Sequence, residues 1–198
     1  PHLDTNQSAW SKVLWGTENQ VEWECSINLA ATDNQKVWAG LKLTNDQLPQ
    51  TDADQAYFYY ASDATNGQAL STFSPWYFIQ SVNGTDYLTN LGISVAASTN
   101  YHLKISIDSD RKPSIFVNGV QYSATTTAAT TFDGSTEVTG TTQATIAESY
   151  SATNANTQKG PALKNDVDLI PYIGIECGAG AAEVLNVHYT AISRHVFE

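Results

Sequence analysis

Between Tyr101 and Asp108 the chain alternates strictly, with Tyr101, Leu103, Ile105 and Ile107 on one parity and His102, Lys104, Ser106 and Asp108 on the other. Successive side chains of a strand point to opposite faces, so this period of two predicts a half-buried antiparallel strand. The turn-forming run Ser109-Asp110-Arg111-Lys112-Pro113 leads into Ser114-Ile115-Phe116-Val117. Asn118-Gly119 then supplies the two positive-φ residues of a type I′ hairpin before Val120-Gln121-Tyr122. Three short strands in succession predict a meander. Further strands are predicted over 21–29, 37–43, 56–61, 76–82, 170–176 and 184–194. No window repeats apolar residues at i, i+3, i+4 and i+7 for three turns, so helix is predicted to be negligible.

Short strands separated by Asn, Asp, Gly, Ser and Thr clusters, with no helices between them, predict an all-β antiparallel two-sheet sandwich rather than βαβ units. Trp38, Phe58, Tyr60 and Tyr77 give several strands apolar character on both parities. That pattern suits strands with one face on the core and the other lining a groove or a neighbouring chain. The stretch 123–160 breaks the rhythm. It is rich in Thr, Ala and Ser, with Asp133, Glu137, Glu148 and Lys159 as its charged residues. Too polar for a core strand and longer than an ordinary connection, it reads as a polar insertion. It carries a weak hairpin around Phe132-Asp133-Gly134-Ser135, or orders only against a partner.

A length of 198 residues suits a single domain, 1–198, with generous loops. The 9 basic and 20 acidic side chains leave a formal charge of −11, which repels phosphate backbones and anionic membrane surfaces. Nucleic acid is therefore not an expected partner. No apolar run approaches the roughly 18 residues of a spanning helix, so membrane insertion is not expected. The opening Pro1-His2-Leu3-Asp4 lacks the basic and apolar regions of a signal peptide, and methionine is absent, so the chain reads as part of a longer polypeptide. Cys25 shares a parity with Val21, Trp23 and Ile27, and Cys177 with Ile173 and Ile175, which places both on core faces. Packed free thiols and a disulfide between the first and last strands both fit.

The strand 101–108, followed by Pro113-Ser114-Ile115-Phe116-Val117-Asn118-Gly119, resembles the strand, turn and Val-Asn-Gly signature of concanavalin A-like and laminin-G-like jelly rolls. Leu169-Ile170-Pro171-Tyr172-Ile173-Gly174-Ile175 and Leu185-Asn186-Val187-His188-Tyr189-Thr190-Ala191-Ile192 are similar to that family's last two strands. Glu22-Trp23-Glu24-Cys25-Ser26-Ile27 and Trp38-Ala39-Gly40-Leu41 are similar to its opening pair. With its Ala179-Gly180-Ala181 turn, the chain resembles the style of this domain found in tailed-phage virion proteins. The resemblance implies a non-enzymatic structural or interaction module: a capsid decoration, fibre or tail-associated domain at a virion surface or outside the cell. Its partners would be other virion proteins or copies of itself. The alternative is a carbohydrate-binding module, and behind it a glycan-cleaving enzyme.

Candidate chemistry is sparse. Glu22 and Glu24 project to one side of a strand and invite comparison with a glycosidase pair. The third acid of the Glu-x-Asp-x-(x)-Glu strand that the family's glycanases carry is missing here, so they read as solvated acids opposite Val21, Trp23 and Cys25. His2, His102, His188 and His195 show no metal-ligand spacing, and no nucleophile elbow, phosphate loop or Cys-x-x-Cys occurs. No catalytic residue and no cofactor are expected, save that calcium binding by the relatives makes Asp52 and Asp54, or Asp108 and Asp110, candidate oxygen donors. Turn formation is the plainer role for these acids. Trp38, Tyr57, Tyr59, Tyr60, Trp76 and Tyr77 are the candidate ligand-binding rings, since aromatics on a sheet face stack against sugars or anchor proteins. Asn83-Gly84-Thr85 is both a glycosylation acceptor and a turn signal.

Overall fold

Alternation becomes burial along the first strand, where Trp23, Cys25, Ile27 and Leu29 are fully buried and the intervening residues are half-exposed. The computed structural model describes residues 15–43, 52–62, 70, 73–128, 144–145, 149–150, 158–178, 180 and 182–195. Its strands are β1 (Glu22–Leu29), β2 (Gln35–Lys42), β3 (Gln55–Ala61), β4 (Pro75–Val82), β5 (Thr85–Ser94), β6 (Asn100–Ile107), β7 (Pro113–Val117), β8 (Val120–Tyr122), β9 (Ala144–Thr145), β10 (Ser149–Tyr150), β11 (Ile170–Cys177) and β12 (Leu185–Ser193). A 3-10 turn at Thr17–Asn19 is the only helical element among the described residues.

One sheet runs β10-β8-β7-β6-β1-β12 and the other β11-β2-β3-β4-β5-β9. Pairing is antiparallel apart from the two-residue contact of β9 with β5. After β1 the chain builds β2 to β5 in the second sheet, returns to the first for β6 to β8, and ends with β12 beside β1, which makes the molecule an all-β jelly-roll sandwich. Trp23 and Trp76 lie fully buried between the layers with Phe58, Phe78 and the aliphatic residues of β1, β2 and β6. Burying one ring of that size is worth about 4–6 kcal/mol as an upper bound, so a few aromatics anchor the core.

The Asn118-Gly119 hairpin joins β7 to β8 with φ of 52° and 78°, the left-handed pair that a type I′ turn requires. Asn83-Gly84 repeats the device with φ of 49° and 79°, joining β4 to β5. That second hairpin makes Asn83-Gly84-Thr85 a turn with Asn83 exposed at its tip. Strand β5 was not among the predicted strands. Buried Asp86 and Thr89 among Leu88 and Leu91 blur its alternation, and the Asn-Gly turn was the available signal.

Of the 123–160 insertion, residues 123–128, 144–145, 149–150 and 158–160 are described: β9 pairs with β5 and β10 with β8 of this chain's own sheets, and the two ends are tied together. Ala124 N donates to Gln158 O at 2.8 Å, and Gln158 N donates to Ser123 Oγ at 3.1 Å. The hairpin expected around 132–135 lies outside the described residues, as do Ala179 and Ala181 of the turn before β12. Both cysteines are free thiols. Cys25 is fully buried in the core and Cys177 is half-buried on the opposite sheet. Burial pushes the Cys25 thiol far above its usual range.

Candidate functional site

The six candidate rings do not share a face. Trp38, Tyr57, Tyr59 and Tyr77 lie on the outer side of the second sheet, whereas Tyr60 and Trp76 point the other way into the core, with centroids 5.9 Å apart. Nor is the outward group exposed: Trp38, Tyr57 and Tyr59 are 2% accessible and Tyr77 is 0%. The expected aromatic platform is instead a second apolar layer, completed by Ile79, Leu88 and Leu70. The physical reason is the one already legible in the strands, which are apolar on both parities because both faces are covered. The Tyr57 hydroxyl is buried without a hydrogen-bond partner among the described residues. Burial first, then the neighbouring Tyr59, Asp86 and Asp52, push its ionisation well above the usual phenol range.

The acids considered for calcium hold the backbone. Asp52 Oδ2 accepts from Leu43 N at 2.9 Å, and Asp54 Oδ1 accepts from Asn83 N at 3.0 Å, tying the segment before β3 to the end of β2 and to the β4–β5 turn. Asp108 Oδ1 accepts from the N–H groups of Asp110 and Lys112, each at 2.9 Å, and Oδ2 from Lys159 at 2.7 Å. Among the described residues no three His, Cys, Asp or Glu side chains gather as a metal-ligand group.

The accessible chemistry lies on the outer face of the first sheet. Register places Glu22 opposite Ser106 and Ser193, Glu24 opposite Lys104 and Ala191, and Ser26 opposite His102 and Tyr189. Glu22 Oε1 accepts from Ser106 Oγ at 2.9 Å and pairs with Lys104 Nζ at 3.2 Å. Partial burial pushes this carboxyl up, but the Ser106 hydrogen bond and the Lys104 ammonium outweigh it and hold it below the usual carboxylate range. Glu24 Oε2 lies 3.3 Å from His102 Nε2, and its Oε1 accepts from Tyr189 at 3.5 Å. The Tyr189 ring faces His102 at 6.0 Å. Beyond them Asn28, Asn100 and Asn186 form an amide ladder that ends on His188.

On the β12 side the same two carboxylates open onto a shallow depression of about 150 Å³ lined by Glu22, Glu24, Ala191, Ile192 and Ser193. The large exposed hydrophobics among the described residues are Val184 at 52%, Val187 at 44% and Tyr189 at 42%, all on β12 or at its start. The position of β12 was legible in the sequence but its exposure was not. The signal was its run of ten residues from Val184 to Ser193 without Lys, Arg, Asp, Glu or Pro, unusual for a strand that ends a sheet.

Fold and site together define an all-β jelly-roll sandwich domain with a polar outer sheet face and an apolar sheet edge. No family model matches the chain. No curated protein matches it either. Among solved structures it is similar to the mouse laminin alpha1 chain, domains LG4-5, at 13% identity over 96% of this chain and with a TM-score of 0.35. The chain spans 42% of that structure's length. The fold assignment rests on the strand order and register described above.

Proposed function

We propose that this domain is a non-catalytic binding and assembly module that works through protein contacts outside the cell, as a capsid decoration, fibre or tail-associated part of a virion. The observation that carries the binding role is β12, a nine-residue strand at the end of its sheet with apolar side chains held in water. Exposed apolar edges on stable domains mark places where another chain sits. The virion setting draws on the sequence resemblance to tailed-phage domains. Glycoside cleavage needs one carboxyl kept protonated near neutral pH beside an ionised one, and Glu22 is shifted down, which does not suit it to be the acid of such a pair. No cofactor enters this reading.

The test has two arms. Prolonged incubation with a panel of polysaccharides should release no reducing sugar, and sustained release lost in Glu22→Gln would overturn the non-enzymatic reading. Imaging of the particle that carries this chain should place the domain at its surface, and its absence from any particle would remove the virion setting.

A second reading, glycan binding, is favoured by one observation. Tyr189 presents an exposed ring beside Glu24, His102 and the Asn28–Asn100–Asn186 ladder, an arrangement in which a sugar could stack and hydrogen-bond at once. A glycan array with wild type and Tyr189→Ala decides it, since only a ring-dependent signal would support this reading.

A further inference from the structure

We propose that β12 is the docking edge for an extended segment of a partner protein, which adds to the first sheet as a further strand and carries Lys or Arg at alternate residues. This rests on the reading of the domain as a binding module and names the chemistry of what it binds. Among the described residues no strand pairs with the outer side of β12, so its free backbone groups present a template for strand addition. Natural edges of this length are usually blunted by charge, proline or bulges; Val184 to Ser193 contains neither charge nor proline, and its one irregularity is the bulge at His188, between the Tyr189 and Val187 pairings to β1.

The two faces of the incoming strand are specified separately. Pairing with β1 shows that Ile192, Thr190, Val187 and Leu185 take the inner parity, opposite the buried Trp23, Cys25, Ile27 and Leu29. Yet Val187 is exposed and the other three are only half-buried, so the core is open along this edge. Apolar residues at alternate positions of an added strand would close it. On the outer parity, Ala191 and Ser193 are small and leave the depression that leads to Glu22 and Glu24. An added strand would lie two strand spacings from β1, about 10 Å, a gap that an extended Lys or Arg meeting a Glu side chain can span. From the β6 side these carboxylates are already engaged by Lys104, Ser106 and His102. The hydrogen bond from Ser106 and the ion pair with Lys104 both run through Glu22 Oε1, and His195 beyond the end of β12 adds a further electrostatic pull on the carboxylate, so a cation arriving over β12 would approach through Oε2.

Charge also selects against a second copy. This chain's β12 brings no Lys or Arg between Val184 and Ser193, and two molecules of charge −11 repel. A basic alternating strand satisfies both faces.

The experiment uses a fluorescein-labelled peptide of alternating arginine and valine, titrated into the whole chain and followed by anisotropy. Two control peptides accompany it, one with glutamate for arginine and one with alternate backbone nitrogens methylated to block ladder hydrogen bonds. The arginine peptide should bind, and both controls should lose binding. Amide exchange should slow along 184–193. Glu22→Gln with Glu24→Gln, and separately Ala191→Lys, should each weaken binding on the order of tenfold. Equal binding of the methylated peptide would overturn strand addition without reliance on any protein variant, and equal binding of the glutamate peptide would overturn the charge requirement. Dimerisation of the free chain that Val187→Lys abolishes would assign the edge to a second copy instead. Peptide failure without polysaccharide cleavage sinks only this docking proposal, whereas cleavage sinks the binding-module reading on which it rests.

Discussion

Two tyrosines predict opposite outcomes for the same change. Tyr101 Oη accepts from Ala96 N at 2.8 Å and donates to Ser94 O at 3.4 Å, whereas the Tyr57 hydroxyl is buried without a partner among the described residues. Tyr101→Phe should cost about 1–2 kcal/mol in denaturant unfolding, because it strands a backbone N–H. Tyr57→Phe removes an unpaired polar group and should be neutral or stabilising by about 1 kcal/mol. Equal losses would show that Tyr57 has a partner after all. Asp108 carries the pH prediction. Burial opposes its charge, but Lys159 and the amides of Lys112 and Asp110 outweigh that and lower its pKa. A carboxyl lowered on folding contributes stability that is complete above its unfolded value, 3.8 here, and is lost as pH falls through the lower folded one. Asp108→Ala should therefore cost about 2 kcal/mol at neutral pH and progressively less in acid. A cost independent of pH would mean that the carboxylate charge is not what holds the turn.

At the scale of elements, Gly40 and Gly119 separate steric from conformational cost. A Cβ on Gly40 would lie 2.5 Å from both Ala56 O and Tyr57 Cα, backbone atoms of β3 that cannot swing aside. Gly40→Ala should destabilise by about 1–3 kcal/mol, read as a fall in thermal midpoint. Gly119 sits at φ +78° with open space around it, so Gly119→Ala should cost only its left-handed conformation, about 1 kcal/mol. Reversal of that order would contradict the β2–β3 register. The β6–β7–β8 meander was legible because its alternation and its Asn-Gly turn agree. Strand β5 was not, because the buried polar residues Asp86 and Thr89 break its apolar rhythm, and what buries them is β4 and the chain at Thr125, where Thr125 N donates to Thr89 Oγ1.

For the whole molecule, the two sheets and the isolated 3-10 turn predict far-ultraviolet circular dichroism dominated by strand. Helix above about a fifth would contradict the fold, since average soluble domains reach about a third. A charge of −11 with an open edge strand further predicts a monomer in low salt by light scattering, because long-range repulsion opposes pairing of like chains.

The all-β class, most strand positions and the inward set Trp23, Cys25, Ile27 and Leu29 follow from the sequence by itself, because a period of two is local and each residue's parity assigns it a face. The same logic set Glu22 and Glu24 outward, and they are outward. Parity cannot say what covers a face. Trp38, Tyr57, Tyr59 and Tyr77 point away from the core between the sheets, and only the tertiary structure buries them in a second layer. Conversely, Val187 has the parity of a core residue and stands exposed, since strand order puts β12 at the end of its sheet. Exposure depends on neighbours distant in sequence, and their arrangement is decided when the sheets close on one another.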